Sequence, residues 1–528
     1  MNVYFIGMCV AMIAFVGISI IISRKVKNAN DFYVAGRNAP LILITGSMIA
    51  SYASTGMFMG DAAEAFEGAL APMLLFAGMQ SAGYLIGAVF FGRYLRRSNV
   101  LTIPEFFGKR FCSNKMRVLS AITAIVMMTV YYLSVVQGVG TLMTLVTNVD
   151  YKICIIFSVV VLTIITVISG SRGVLITDTL MMGLFMVSIF MAVRFVTYET
   201  GGWFTAIRKM TSSESTMDII SWAGKPGALY STGWDNLAWG VSYGIVWMSV
   251  CAIGPWQCSR YLMAKDEHTV IRSAPFAALG VFILEFFVCT TAALMNVLNP
   301  EIISSSYIWI WAAMNILPTA LGVTLMTGVL SAGISSATTF LSLIGASIAN
   351  DVVPTKEKIS IRYGRIAMIV VSIIVLICAL TNPPAIFAIM FLGGATAASS
   401  WLPVAFGSVF SKRMTKTGAF CGMIAGITGC LAANLLQNSG GITLPSYLDP
   451  AIIGIVCNVF VIMIVSALTE VTDEEREARA ALFVVPEREK IPKEVKKTLL
   501  FIRLGIVVGI LIAVLMLVFW AIPFTLAF

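Results

Sequence analysis

Two acidic residues of this sequence lie inside long apolar segments, where charged side chains are rare. Asp178 falls near one end of its segment, whereas Glu285 falls in the middle of another. An Asp at the centre of a membrane helix costs about 2.5–3.5 kcal/mol, so such residues usually have a function. Arg172 offers a simpler explanation for Asp178, because the two side chains could form a structural ion pair. Glu285 is expected to be either a proton-coupling group or a hydrogen-bonded structural acid.

Another apolar segment is rich in hydroxyl groups. It contains Ser335, Ser336, Thr338 and Thr339, and residues three or four apart share one face of a helix. Several of these hydroxyls therefore converge beside Ala332. Sodium is a hard cation that binds several oxygen atoms, and hydroxyls together with carbonyls freed at a helix break would supply them. The same hydroxyls could instead bond to carbonyls of their own helix, and the spacing alone leaves both interpretations open.

The elements that would hold these residues are membrane-spanning helices. The 528 residues are 59% hydrophobic and 12% charged, whereas about a quarter of the residues in a soluble domain are charged. A helix needs about 20 apolar residues to cross a hydrocarbon core. Fourteen segments meet this need, at roughly 3–24, 39–60, 68–92, 118–147, 152–170, 174–198, 236–256, 273–296, 319–347, 362–381, 383–408, 418–437, 449–468 and 499–525.

Basic residues follow a pattern that orients a membrane protein. If the spans alternate from an external N-terminus, most of the 35 Lys and Arg residues fall in cytoplasmic loops or at cytoplasmic helix ends. The 26 Asp and Glu residues show no such bias, which is how the positive-inside rule behaves. The net charge of +9 therefore orients the chain instead of binding nucleic acid. An even number of spans then predicts both termini outside.

The sequence offers little to metal or nucleotide chemistry. Its ten cysteines include no CxxC pair, which weakens metal and disulfide interpretations. The single histidine, His268, falls in a charged loop and is expected at the solvated surface. No GxxxxGK[ST] motif is present, so ATP is not expected to drive the protein directly. An enzyme is not predicted, because no nucleophile, base and metal constellation is visible.

Spans two to six and seven to eleven form two groups of five with opposite orientation. Secondary transporters are often built from such inverted repeats, whose first helices are broken near the membrane midplane. The second span carries small and hydroxyl residues at 49–56, and the seventh carries them at 239–244. Both stretches are expected to unwind, although small residues could equally serve only close helix packing.

These groups divide the chain into predicted units. They are 1–38, an extra helix and cytoplasmic loop; 39–198, the first repeat; 199–235, an external loop; 236–411, the second repeat; and 412–528, C-terminal helices with a cytoplasmic linker at 469–498. The external loop carries an amphipathic piece, residues 201–210, that could lie on the membrane surface. The linker is expected to contain a short helix.

Two stretches carry patterns specific to one family. Residues 31–37 read DFYVAGR, and residues 408–426 read SVFSKRMTKTGAFCGMIAG. They resemble the opening segment and the second signature of the sodium/solute symporters, which include the proline, pantothenate, acetate and sugar transporters. The first signature is degraded, since SGSRG at 169–173 stands where the family has Gly-Gly-Leu-x-Ala before Thr-Asp. The resemblance spans nearly the whole chain and favours the proline, pantothenate and acetate branch.

This resemblance implies the five-plus-five inverted-repeat fold of the bacterial leucine transporter. It also implies a sodium site between the second and ninth spans, built from the carbonyls of Ala50, Ala53 and Ala332 and the hydroxyls of Ser335 and Ser336. Some members have a second sodium site, for which this chain has matching groups in Asp178, Thr338 and Thr339. The family landmark at 255–260 lacks the nearby Asn-Gln pair typical of sugar transporters, which argues against a sugar.

The solute cavity is expected between the second, third, fourth, seventh and eleventh spans. Its candidate lining residues, each of which could equally serve packing, are Ser54, Thr55, Gln80, Tyr132, Gln137, Tyr243, Trp247 and Phe391. No Lys or Arg is expected inside the membrane to neutralise an anion, so a carboxylate would be held by N–H groups at a helix break. These features favour a monocarboxylate or an amino-acid-like solute.

The predicted function is therefore sodium-coupled import of a small organic solute by alternating access. The protein is expected to be a multi-pass protein of a cell membrane, and of a prokaryotic inner membrane in particular. The alternatives are a proton-coupled symporter of the same fold and a transporter-like sensor that lacks its own output domain. The expected partners are the solute, sodium as the coupling ion and membrane lipid, with no cofactor and no obligate protein partner.

Overall fold

The computed structural model describes residues 2–24, 28–353, 357–381, 385–439 and 444–527, most of which are helical. Apolar runs form helices in lipid because each backbone N–H and C=O must find its partner inside its own segment. Thirteen helices in these ranges are long and apolar enough to cross a membrane, and the shorter Leu41–Tyr52 completes a set of fourteen. In chain order they are α1 (Val3–Ser23), α2 (Leu41–Tyr52), α3 (Met57–Arg97), α4 (Asn114–Thr147), α5 (Tyr151–Ile168), α6 (Gly170–Glu199), α7 (Gly233–Ile253, continued by Pro255–Met263), α8 (Glu267–Leu294), α9 (Thr319–Ser347), α10 (Ser360–Thr381), α11 (Ile386–Phe410), α12 (Lys416–Asn438), α13 (Pro450–Ala467) and α14 (Pro492–Ala527).

These helices coincide with the fourteen predicted spans, which confirms the all-α polytopic prediction. The second predicted span is divided, because its first half forms α2 and its second half opens α3. The α2 helix ends at Tyr52, and Ala53 leaves helical geometry at φ −59° and ψ 123°. This break lies where the small and hydroxyl residues predict it. It leaves backbone carbonyls without helical partners inside the membrane.

The break in the seventh span lies later than predicted. The stretch at 239–244 stays helical within α7, and the chain leaves helical geometry only at Gly254, with φ −58° and ψ 141°. Pro255 causes this break, because it has no N–H and disfavours helical geometry in the preceding residue. Gly240 instead permits close packing, since a Cβ there would lie 2.9 Å from the Cα of Pro72 in α3.

The α9 helix lies at the centre of the molecule. In its most apolar stretch 94% of the residues are buried, against 22% for α14. It packs against α6, α4 and α2, and its small residues allow that close approach. The hydroxyl groups of α9 therefore face protein instead of lipid.

The stretch that matches the second family signature forms a packing surface. Its glycines at 418, 422 and 426 lie along one side of α12, and a Cβ at Gly426 would lie 2.2 Å from the carbonyl oxygen of Ser399 in α11. Pro403 removes the N–H that would bond to that carbonyl. The side-chain Nδ2 of Asn458 in α13 donates to it instead, at 2.7 Å. The signature thus joins three helices through close contacts.

The loop at 199–235, which is predicted to be external, is docked on the bundle. Its helix, Trp203–Thr211, covers most of the predicted amphipathic piece at 201–210. The indole Nε1 of Trp203 donates to the carbonyl of Phe519 in α14 at 2.7 Å, and its ring contacts Phe286 and Phe287 in α8. These contacts hold the helix against α8 and α14, and its position on the membrane surface stays a prediction.

The linker at 469–498 contains the predicted short helix, Asp473–Ala481, which begins with a capping box between Thr472 and Glu475. The linker also covers His268, which is buried. Nδ1 of His268 lies 2.9 Å from the hydroxyl of Thr498, and Nε2 lies 3.0 Å from the carbonyl of Glu489. The expectation of a solvated histidine is therefore wrong, because a segment more than 200 residues away folds over it.

Candidate functional site

The break after α2 meets the hydroxyl-rich face of α9. The hydroxyl of Ser336 donates to the carbonyl oxygen of Ala53 at 3.0 Å. Ala50, Ala53, Ala332, Ser335 and Ser336 are all fully buried. The structure thus joins one carbonyl and one hydroxyl of the expected sodium ligands across two helices, and the ion site between the second and ninth spans stays a prediction.

A carboxylate lies next to this set of oxygens. The hydroxyl of Ser335 donates to Oδ1 of Asp178 in α6 at 2.7 Å, and the hydroxyl of Ser47 in α2 donates to Oδ2 at 2.6 Å. Asp178 is fully buried. Its carboxylate therefore links α2, α6 and α9 and supplies negative charge beside the oxygen set.

Asp178 forms its ion pair with Arg260, not with Arg172. Nη2 of Arg260 lies 2.8 Å from Oδ2 of Asp178, and only 1% of the Arg260 side chain is exposed. Arg172 instead contacts Asp31 at 3.4 Å. The expectation of no intramembrane Lys or Arg is also wrong, because the helix after the Gly254 break carries Arg260 into the core.

The Arg260 guanidinium fills the space between the groups suggested for a second sodium ion. Besides Asp178, its Nη2 donates to the hydroxyl of Thr339 at 2.7 Å, and its Nε donates to the hydroxyl of Ser47 at 2.9 Å. The hydroxyl of Thr338 donates to the carbonyl of Ser335 in its own helix. Two of the three suggested ligands, Asp178 and Thr339, are thus brought together, but the cation between them is the guanidinium of Arg260.

Aromatic rings from three helices form a cluster near the first break. Tyr243 in α7 lies at its centre, with ring centroids of Phe76 at 4.5 Å, Trp239 at 4.7 Å and Phe391 at 5.2 Å. Trp247 lies 6.2 Å from Tyr243. Three of the candidate lining residues, Tyr243, Trp247 and Phe391, are therefore brought together.

The remaining candidates are distributed around this cluster. Ser54 lies 3.4 Å from the Tyr131 hydroxyl, and the Thr55 hydroxyl donates to a carbonyl of α4. Gln80 is fully buried, with no hydrogen-bond partner for either amide atom. Gln137 accepts a hydrogen bond from the N–H of Ala385.

Tyr132 lies elsewhere, beside Thr163 in α5 and Ser372 in α10. Its neighbour Tyr131 takes the position facing the cluster, with ring centroids 5.9 Å from Trp247 and 4.6 Å from Phe340. Adjacent residues on a helix point about 100° apart. The sequence could not decide which of the two tyrosines faces inward.

Asp61 is a buried carboxylate that lies just beyond the end of the second predicted span, 39–60. It lies in α3, is 2% exposed, and its Oδ1 accepts a hydrogen bond from the Tyr243 hydroxyl at 2.9 Å. Glu285 in α8 is fully buried, and its Oε2 accepts a hydrogen bond from the Tyr52 hydroxyl at 2.8 Å. The signal that could have found Asp61 is the continuity of apolar residues from the break into α3.

Comparisons with known proteins agree with this architecture. A model of the sodium:solute symporter family matches residues 32–426. The sodium/proline symporter of Salmonella typhimurium is 23% identical over 446 residues, which cover 79% of this chain and 85% of that protein. The osmoregulated proline transporter OpuE of Bacillus subtilis is 24% identical over 494 residues, which cover 90% of this chain and 95% of that protein.

Two solved structures share the fold. A substrate-bound, outward-open Na+-coupled sialic acid symporter aligns with a TM-score of 0.73 at 17% identity, covering 89% of this chain and 99% of that chain. Mhp1, a nucleobase-cation-symport-1 family transporter, aligns with a TM-score of 0.50 at 11% identity, covering 85% and 98%. The predicted five-plus-five architecture is confirmed.

Proposed function

This chain belongs to the sodium:solute symporter family, and on that basis we propose that it couples the entry of one sodium ion to the import of an amino-acid-like solute. Sodium-coupled symport of a small organic solute is its function, and it is a multi-pass membrane protein. The proposal concerns the ion site, the number of ions, the kind of solute and the orientation in the membrane.

The observation that carries the proposal is the contact between the α2 break and α9. Sodium would bind the carbonyl oxygens of Ala50, Ala53 and Ala332 and the hydroxyl oxygens of Ser335 and Ser336. Those five groups belong to two different helices, so sodium stabilises the arrangement in which the helices meet. A ligand shifts an equilibrium between two conformations by its difference in affinity for them, and this difference would couple the ion to the solute.

The contacts of Arg260 support a single sodium ion. A second ion at Asp178, Thr338 and Thr339 would have to displace a guanidinium that is hydrogen-bonded to Asp178 at 2.8 Å and to Thr339 at 2.7 Å. One ion is sufficient energetically. A charge that crosses 100 mV gains about 2.3 kcal/mol, which supports roughly fortyfold accumulation before any sodium gradient is added.

The relatives support an amino-acid-like solute. Two of them are named for proline, and an apolar ring such as that of proline would pack against the aromatic rings around Tyr243. The solute would bind beside the two helix breaks, and the repeats at 39–198 and 236–411 would rock around it to alternate access. The distribution of basic residues supports cytoplasmic loops for the Arg- and Lys-rich segments and an external position for both termini.

A proton-coupled symporter of the same fold is the alternative, and Glu285 favours it. Its carboxyl accepts a hydrogen bond from Tyr52, the last residue of α2, at 2.8 Å. A proton taken up there would alter the contact between α8 and the first break. Transport that depends on a sodium gradient at constant pH separates the two mechanisms.

Uptake into proteoliposomes tests the proposal. With labelled proline outside, an inward sodium gradient should produce transient accumulation above equilibrium, and an inward potassium gradient should not. An imposed proton gradient without sodium should give no accumulation. Accumulation in potassium medium that equals accumulation in sodium medium, for proline and for a panel of other amino acids and monocarboxylates, would rule out sodium coupling.

A further inference from the structure

Two buried carboxylates lie at the centre of the protein without a cationic partner. Asp61 and Glu285 interact electrostatically with each other, and neither forms an ion pair with a Lys, Arg or His in the described part of the chain. Their hydrogen-bond donors are neutral: Tyr243 for Asp61, and Tyr52 and Cys289 for Glu285. Two acids in such a place attract a positive charge that the protein itself does not provide.

The surroundings of the two acids are aromatic. Tyr243 and Tyr52, which donate to the carboxylates, both have ring centroids 6.2 Å from the ring of Trp247. Phe76 and Tyr131 extend the same wall, at 6.3 Å and 5.9 Å from Trp247. Aromatic faces attract organic ammonium groups but offer no oxygen ligands to sodium, so this wall suits a larger and less hydrated cation.

Polar atoms beside the acids lack partners. Gln80 is fully buried beside Glu285, to which its amide could donate, but neither amide atom lies in good hydrogen-bond geometry with a partner in the described part of the chain. The indole N–H of Trp247, 2% exposed, also has no partner. Buried polar groups are normally hydrogen-bonded. A ligand with polar groups of its own would satisfy both.

An acidic path leads to this place from an external cavity of about 430 Å³. Glu64 and Glu67 line the cavity, and Asp61 lies about one helical turn before Glu64 in α3. Glu67 is exposed, Glu64 is half-buried and Asp61 is buried. Phe387 lines the cavity as well, and its ring lies 5.7 Å from Tyr243. One aromatic layer therefore separates the cavity from the Asp61 carboxylate.

We propose that the solute must carry a positively charged nitrogen, which binds between Asp61 and Glu285 against the aromatic wall of Trp247 and Tyr243. The proposal rests on the symport function and adds the charge of the substrate. A carboxylate on the solute is tolerated but not required. Nitrogen-free monocarboxylates are excluded, because two carboxylates at the site repel them.

Two matched pairs of compounds test the charge requirement. Proline differs from cyclopentanecarboxylate by its ring nitrogen, and glycine betaine differs from 3,3-dimethylbutyrate by a quaternary nitrogen in place of carbon. In proteoliposomes with an inward sodium gradient, at least one nitrogen compound should accumulate at least about tenfold more than its nitrogen-free match. Pyrrolidine, which has the nitrogen without the carboxylate, should compete with the transported compound.

The outcomes separate this inference from the symport function. Sodium-driven accumulation of a nitrogen-free acid to the level of its match overturns the ammonium requirement and leaves symport intact. If the uptake of all four compounds does not depend on sodium, both the ammonium requirement and the symport function are overturned. Failure of pyrrolidine to compete at concentrations where proline or glycine betaine saturates transport overturns the statement that the solute needs no carboxylate.

Substitutions locate the charge. Asp61→Asn and Glu285→Gln should each raise the KM for the nitrogen compound about ten- to hundredfold, while the half-saturating sodium concentration stays within about twofold. Glu477→Gln, at an exposed residue of the cytoplasmic linker, should change neither. Sodium-dependent thermal stabilisation in detergent shows that each variant is folded, and Tyr243→Phe replaces any variant that is not. Unchanged KM values in folded variants would contradict the assignment.

Discussion

The hydroxyl groups of Ser335 and Ser336 are adjacent in sequence, yet they contact different helices. One donates to Asp178 in α6, and the other donates to the Ala53 carbonyl at the end of α2. A helix turns by about 100° per residue, so neighbouring hydroxyls can bridge to two partners. A sodium ion between these groups would take the place of the hydrogen bonds. Its contacts with the oxygen atoms would join the same helices.

Ser336→Ala should weaken sodium binding more than it weakens folding. Loss of one of five oxygen ligands is expected to raise the half-saturating sodium concentration at least about tenfold, with a small change in unfolding temperature. Ser342→Ala is the matched control, because that buried hydroxyl donates to Thr339 within its own helix. Sodium titration of uptake measures both variants, and equal values for Ser336→Ala and the unmodified protein would exclude the serine as a ligand.

The buried pair of Asp178 and Arg260 makes a second prediction at the scale of single residues. Asp178→Ala leaves a buried guanidinium without its counter-ion, which should lower the free energy of unfolding by about 3–5 kcal/mol. The double variant with Arg260→Met should recover much of that loss, because it removes the uncompensated charge. Arg476→Gln, which breaks an exposed pair with Asp473, should leave the unfolding temperature almost unchanged. Denaturant unfolding in detergent provides the comparison, and additive losses in the double variant would argue against a coupled pair.

Packing between elements depends on where glycines meet backbone. The α12 glycines allow α11 and α13 to approach, and the Ser399 carbonyl that Gly426 faces is also the one that Pro403 leaves for Asn458. Backbone cannot yield as a flexible side chain can. Since this carbonyl is also hydrogen-bonded to Asn458, a methyl group at Gly426 has no space.

Gly426→Ala is therefore expected to destabilise the protein, although alanine is a better helix former than glycine. Gly183→Ala in α6 is the matched control, because a Cβ there meets no atom within 4 Å and should stabilise by about 0.5–1 kcal/mol. Unfolding temperatures in detergent should thus shift in opposite directions. A shift in the same direction for both would mean that α12 can move away from α11.

The orientation of the whole molecule in the membrane can be tested at a native cysteine. Cys112, between Ile103–Arg110 and α4, is the only exposed thiol among the described cysteines. The positive-inside distribution predicts that this loop lies in the cytoplasm. Partial desolvation of the thiol, followed by the nearby charges of Glu474 and Glu475, raises the pKa of Cys112.

A membrane-impermeant maleimide should label Cys112 in inside-out vesicles but not in right-side-out vesicles. Because the thiolate is the reactive form and its pKa is raised, labelling should speed up as the pH rises above neutral. Cys112→Ser should abolish the signal. Labelling from the outer side would reverse the proposed topology and place both termini in the cytoplasm.

The local features of the sequence predicted much of the architecture. The number and limits of the spans follow from hydropathy, since burial in lipid is favourable for each apolar segment independently. The first helix break followed from the small and hydroxyl residues before Thr55. The second break was predicted too early in the span, because the glycines at 240 and 244 indicated a weak helix there. Pro255 was the stronger signal for a break. Of the candidate sodium ligands, Ala53 and Ser336 meet as expected, and their role in ion binding stays a prediction.

By itself, the sequence determined that this is an all-helical membrane protein of one family, and it predicted that the basic loops lie on one side. Only the tertiary structure decided which polar groups meet inside it. Arg260 and Asp178 are 82 residues apart, and Tyr52 and Glu285 are 233 residues apart. Their pairing depends on how each helix is rotated about its axis, which no local pattern specifies. The rotation is fixed by close packing among all the helices at once, so the charged groups of the core became visible only in the folded chain.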